Sequence, residues 1–151
     1  MGIEQLYTEI ITEHNNSGRN KHHIENPTVI KKGVNPSCGD EIALELREKN
    51  GVIEDAAFTG IGCAISQASA SMMVDVIKGK TTQEAEKLAD TFFGMIKNEI
   101  TDEEKLEPLE DAVALKDIAH MPARVKCAVL GCLFAFDGIN FILLCKIIKK
   151  H

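Results

Sequence analysis

Asn50-Gly51 stands between two runs that read as β-strands, and this dipeptide limits the fold more than any other feature of the chain. Both central residues of a type I′ turn need positive φ, which Asn and Gly adopt most readily. The run before it, Glu41 to Lys49, alternates Ile42, Leu44 and Leu46 with charged residues, the period-two pattern of a half-buried strand. Val52 to Phe58 is its returning partner. Thr28 to Val34 reads as a further short strand, followed by the turn Asn35-Pro36-Ser37-Cys38-Gly39-Asp40.

The remaining periodic segments are helical. Ile3 to Asn15 spaces Ile3, Leu6, Ile10 and Ile11 along one face. After the glycine-bracketed loop Thr59-Gly60-Ile61-Gly62 and Cys63, the residues Ile65, Ala68, Met72 and Val76 keep helical spacing as far as Gly79. The other face of this helix carries Ala64, Ser66, Ser69, Ala70 and Ser71, small enough to let it lie close to the sheet. Thr81 and Glu84 make a capping box for a helix with the stripe Ala85, Leu88, Phe92 and Ile96. An acidic connector, Thr101 to Glu110, leads to a helical turn or two over Leu109–Ala119. Pro122 then suits the first turn of a last helix that starts around Arg124. The expected fold is α+β: a three-stranded antiparallel sheet with helices packed on it, as one domain over residues 1–151.

Charge and composition narrow the function. A net charge of -6, with 5% aromatic residues and no Trp, argues against nucleic acid as a partner, since phosphate and base recognition need clustered cations and stacking rings. The start, Met1-Gly2-Ile3-Glu4-Gln5, lacks the basic n-region of a secretory leader. Five cysteines in such a chain point to a reducing, cytoplasmic compartment, where thiols act as ligands or nucleophiles.

Three cysteines sit where chemistry is feasible. Cys38 is in the turn after the first strand, with Asp40 two positions on. Cys63 stands at a helix N-terminus, where free N–H groups and the helix dipole favour a thiolate. Cys127 lies in the first turns of the last helix. Three sulfurs and one carboxylate would form a tetrahedral set whose softness suits zinc or iron–sulfur chemistry. Spacing alone does not bring them together, because no CxxC pair exists. Cys132 and Cys145 read as core, and His22 and His23 as a solvated pair. A cysteine hydrolase using Cys63 and His120 is the competing enzyme class, but the surrounding sequence supplies no oxyanion loop.

Asn35-Pro36-Ser37-Cys38-Gly39-Asp40, then Gly60-Ile61-Gly62-Cys63-Ala64-Ile65-Ser66, then Pro122-Ala123-Arg124-Val125-Lys126-Cys127-Ala128 resemble, in order, the motifs of the SufU/IscU family of iron–sulfur cluster assembly proteins. Lys126, where the IscU branch has histidine, and a longer segment between Cys63 and Cys127 are similar to the SufU branch. The resemblance implies zinc held by Cys38, Asp40, Cys63 and Cys127. It also implies sulfur acceptance on Cys38 from a SufS-type cysteine desulfurase, an enzyme that uses pyridoxal phosphate, and cooperation with other Suf assembly proteins. Arg124 matches a family position associated with working alongside that desulfurase. Two alternatives remain open: a scaffold carrying a transient iron–sulfur cluster, and a non-catalytic zinc-stabilised adaptor.

From about residue 131 the chain departs from the family's ordinary amphipathic helix and its Trp. Gly131-Cys132-Leu133 runs into Phe134-Ala135-Phe136-Asp137-Gly138-Ile139-Asn140 and a second apolar run. Asp137, Gly138 and Asn140 interrupt any membrane span. An altered C-terminus or a partner-binding apolar tail is the expectation here.

Overall fold

The computed structural model describes residues 3–36 and 39–149. Helix α1 (Ile3–Ser17) is followed by three strands, β1 (Val29–Asn35), β2 (Asp40–Lys49) and β3 (Val52–Ile61). They form one antiparallel sheet in the order β1-β2-β3. Asn50 (φ 54) and Gly51 (φ 84) turn the β2–β3 hairpin in the left-handed region that a type I′ turn requires. A register shift between Arg47 and Glu48 marks an irregularity beside that turn.

The pleat sorts the side chains. Ile42, Leu44 and Leu46 of β2 are all 1% exposed, and with Ala56 and Phe58 of β3 they make the sheet's side of the core. Helices α2 (Ala64–Ile77) and α3 (Thr82–Ile96) follow, with Thr81 accepting the Glu84 N–H as the cap of α3. A short α4 (Glu103–Leu106) then leads into a 3₁₀ segment, Glu107–His120. That segment is broken at Glu110, whose φ is 54.

Helix α5 (Pro122–Lys149) carries the chain through the C-terminal segment. It is one unbroken helix through the segment expected to be atypical. Ala128, Cys132, Ala135, Ile139 and Ile142 are buried along it in the common core. The stretch Pro122–Cys145, of mean hydropathy 2.1, is long and apolar enough to cross a membrane, but 59% of the apolar window within it is buried inside this fold. Leu133, Phe141, Leu144, Ile147 and Ile148 of the same helix stay exposed.

The small face of α2 has a different neighbour from the one expected. It receives α5 as well as the sheet. The Ser69 hydroxyl donates to the Ala128 carbonyl, and a Cβ placed on Gly131 would lie 2.9 Å from the Ala70 Cα. Two helices can approach that closely only where both carry small residues. Strands β2 and β3 also run longer than their hydrophobic patterns suggest. β3 continues through Thr59 and Gly60 to Ile61, because Glu41 and Ile42 of β2 pair with Ile61 and Gly60. That extension delivers Gly62 and Cys63 beside the start of β2.

Candidate metal centre

The centre lies where the β1–β2 hairpin opens, where β3 ends and where α2 and α5 begin. Asn35 and Asp40 are cross-strand partners at the end of the β1–β2 pair, so both are held by sheet register. Asp40 is fully buried at 0% exposure. Gly60 (φ 121) lets β3 pass against β2, since a Cβ there would overlap the Glu41 carbonyl oxygen. At Gly62 a Cβ would stand 2.5 Å from Ser66 Oγ and 2.7 Å from Asp40 Oδ1. Glycine there is a condition for those two side chains to meet.

Cys63 is the N-cap of α2, and its sulfur accepts the Ser66 N–H at 3.5 Å. Its own N–H donates to Asp40 Oδ1 at 2.8 Å, and the Ser66 hydroxyl reaches the same oxygen at 3.0 Å. From the other side, Asn35 Nδ2 lies 3.4 Å from Asp40 Oδ2 and 3.8 Å from Cys127 Sγ. Cys127 is buried, one helical turn beyond Arg124 in α5, while Cys63 is half-buried. Burial alone would raise the Asp40 pKa. The hydrogen bonds of Cys63 N–H, Ser66, Cys127 and Asn35 outweigh it and hold the carboxyl below its ordinary value. Asp40 is therefore a carboxylate at neutral pH despite its burial.

One ligand atom from each of Asp40, Cys63 and Cys127 lies within 4.8 Å of the others. Ligands of a tetrahedral zinc site with bonds of about 2.0–2.3 Å stand roughly 3.5–3.8 Å apart. A contraction of about 1 Å separates that spacing from the upper bound found here. Two sulfurs and a buried carboxylate are a donor set that fits zinc.

Cys38 lies outside the described residues. Arg124 is exposed in the first turn of α5. His120, the candidate base of a hydrolase, is not at the centre: it lines a hollow with Met95, Asn98, Ile100 and Asp117. His22 and His23 are both exposed, and His23 pairs with Glu45 at 2.6 Å. Cys132 is a core thiol, as read from the sequence. Burial pushes its pKa up to about 12, and its Sγ donates to the Ala89 carbonyl at 2.9 Å. Cys145 is half-buried.

Sequence reasoning did not single out Asn35 and Ser66 as site residues. Asn35 read as a turn former and Ser66 as one of several small residues on α2. The available signal was the Cys63-x-x-Ser66 spacing, which puts a hydroxyl over the N-cap at a helix start.

The chain matches the NifU-like N terminal domain over residues 6–128 and belongs to that family. It is 42% identical over 131 residues to the iron–sulfur cluster assembly scaffold protein IscU of Thermotoga maritima, covering 87% of this chain and 90% of the relative. It is 38% identical over 129 residues to the zinc-dependent sulfurtransferase SufU of Bacillus subtilis, covering 85% and 86%. Among solved structures, the SufU of Fervidobacterium islandicum, described as a putative scaffold for the SUF system, superposes with a TM-score of 0.79 at 34% identity. That match covers 91% of this chain and 99% of the other.

Proposed function

We propose that this protein is a zinc-dependent sulfurtransferase of cytoplasmic iron–sulfur cluster assembly. In this reading Cys38, Asp40, Cys63 and Cys127 hold zinc, and Cys38 accepts persulfide sulfur from a SufS-type cysteine desulfurase. The observation that carries it is the approach of Asp40, Cys63 and Cys127 ligand atoms to within 4.8 Å, on three separate parts of the chain. Likeness to a SufU named as zinc-dependent supports the choice of metal. Cys38 is two residues from Asp40, and two residues of chain span at most about 7 Å, so its thiol is within reach of the same centre.

Zinc bound there supplies a Lewis acid that keeps the ligating thiols deprotonated at neutral pH. Cys38 is the exchanging ligand in this scheme, two residues before Asp40, which pairs with Asn35 across β1 and β2. Its thiolate, once free, attacks the outer sulfur of the desulfurase persulfide. A new S–S bond forms on Cys38, the S–S bond of the donor breaks, and the donor cysteine leaves as a thiolate. Asp40 stays charged throughout, so the half-buried Cys63 and buried Cys127 sulfurs keep their neighbour in place. Arg124 carries its charge on the surface one helical turn before Cys127, which suits the encounter with the desulfurase.

The scaffold reading has its own support in the IscU relative, which is named a scaffold protein. The two readings part in one experiment. Zinc-loaded protein is incubated with a cysteine desulfurase and cysteine, then mapped by mass spectrometry. One added sulfur on Cys38, absent from Cys38→Ser, supports the sulfurtransferase. Sulfur retained only with iron, as a cluster that passes to an apo-ferredoxin, supports the scaffold instead.

A further inference from the structure

The two hydrogen-bonding groups that the centre's own ligands do not supply are Ser66 and Asn35, and they divide the Asp40 carboxylate between them. Oδ1 accepts two bonds, from Cys63 N–H at 2.8 Å and from Ser66 Oγ at 3.0 Å. The Ser66 hydroxyl has one proton and a second acceptor in reach, the Cys63 carbonyl at 3.0 Å. A charged carboxylate makes the stronger bond of the two, so the proton goes to Asp40. Oδ2 receives the long contact from Asn35 at 3.4 Å, and the same amide nitrogen reaches the Cys127 sulfur at 3.8 Å. An amide nitrogen carries two N–H groups, so it can serve both at once.

We infer that Ser66 and Asn35 are positioning residues that make Asp40 a one-oxygen ligand. Ser66 locks Oδ1 into the protein, and Asn35 aims Oδ2 towards the Cys127 side of the centre. An oxygen already accepting two short hydrogen bonds has little electron density left for a metal, so only Oδ2 is offered. The ligand shell is thereby held at four, with one hard oxygen bond beside the sulfurs. Ser66 has a second function in the same place, because its N–H bonds the Cys63 sulfur at 3.5 Å. Gly62 protects the arrangement, since any side chain there would displace both Ser66 Oγ and Asp40 Oδ1. This inference rests on the metal reading given above and adds how the centre's shape is set.

The test uses Ser66→Ala and Asn35→Ala in the full-length protein, loaded with zinc for release kinetics and with cobalt(II) for absorption. Melting of the metal-free proteins checks that each variant folds. Removing Ser66 leaves Oδ1 with the Cys63 N–H alone, so that oxygen can also join the metal and the cobalt d–d bands should weaken as four-coordination gives way to five. Zinc release to a chromophoric chelator should speed up about tenfold, the usual effect of removing a group that orients a ligand. Asn35→Ala should also speed release but keep the intense four-coordinate bands, because Oδ1 remains tied. Should both variants keep the parent's cobalt bands and release zinc within twofold of it, the positioning role is refuted and the metal reading stands. A parent protein that binds neither ion refutes the metal reading and this inference with it.

Discussion

Gly131→Ala and Gly138→Ala, made separately in α5, test whether that helix packs as described. A Cβ on Gly131 would lie 2.9 Å from the Cα, 3.2 Å from the Cβ and 3.3 Å from the N of Ala70. Two of those atoms are backbone, inside α2, and cannot move unless the whole helix does. Overpacking of this kind costs about 1–3 kcal/mol, against which the gain in helix propensity from Gly to Ala is about 1 kcal/mol. The net is a loss of about 0–2 kcal/mol, or a fall in melting midpoint of up to roughly 8 °C for a chain of this size. At Gly138 the nearest atom is Leu46 Cδ1 at 2.9 Å, followed by Val29 Cγ1 at 3.5 Å. Leu46 can swing aside, so the propensity gain survives, and Gly138→Ala should lie between neutral and about 1 kcal/mol more stable. Urea unfolding of the metal-free proteins, with the slope compared across variants, gives both values. If Gly131→Ala melts clearly above the parent, α2 and α5 do not approach this closely and the account of the C-terminal segment fails.

Two further outcomes follow from the same structure. Asp55 is paired with Lys78 at 3.2 Å and Arg47 at 3.7 Å. Burial would raise its pKa, but the Lys78 hydrogen bond, the Ala56 N–H and the two cations bring it below 3.8. Its contribution is present above that pH and is lost as pH falls through the lower folded value, so Asp55→Asn should flatten the fall in stability below pH 3.8. A urea midpoint that drops with acid as steeply as the parent's would contradict this. Stripping zinc with a chelator should lower the melting midpoint, since metal at a thousand times its dissociation constant adds about 4 kcal/mol to the folded state. A midpoint that ignores chelation would mean the centre and the fold are not coupled.

The hairpin was legible because turn chemistry and alternation agree: Asn50-Gly51 dictates the reversal, and Ile42, Leu44 and Leu46 choose the face. The α2 and α3 starts were legible for the same kind of local reason, a cap at Cys63 and a capping box at Thr81. The course of α5 was not. Its core residues and its outward-facing Leu133, Phe141 and Leu144 are all apolar, so no periodic contrast marks which face is buried. What decides is the fit of Gly131 and Ala128 against Ala70 and Ser69, a property of two helices far apart in sequence. The same limit hid Asn35 and Ser66. Each has an ordinary local explanation, and only strand register and the close of β3 bring both to Asp40.

The central claim is that one zinc ion is held by sulfurs of Cys38, Cys63 and Cys127 and a single oxygen of Asp40. X-ray absorption at the zinc edge of the metal-loaded protein tests it most directly. The account predicts three sulfur neighbours at about 2.3 Å and one oxygen at about 2.0 Å, with one sulfur lost in Cys38→Ser. A shell dominated by nitrogen and oxygen, or one unchanged when Cys63 and Cys127 are replaced by serine, would contradict it.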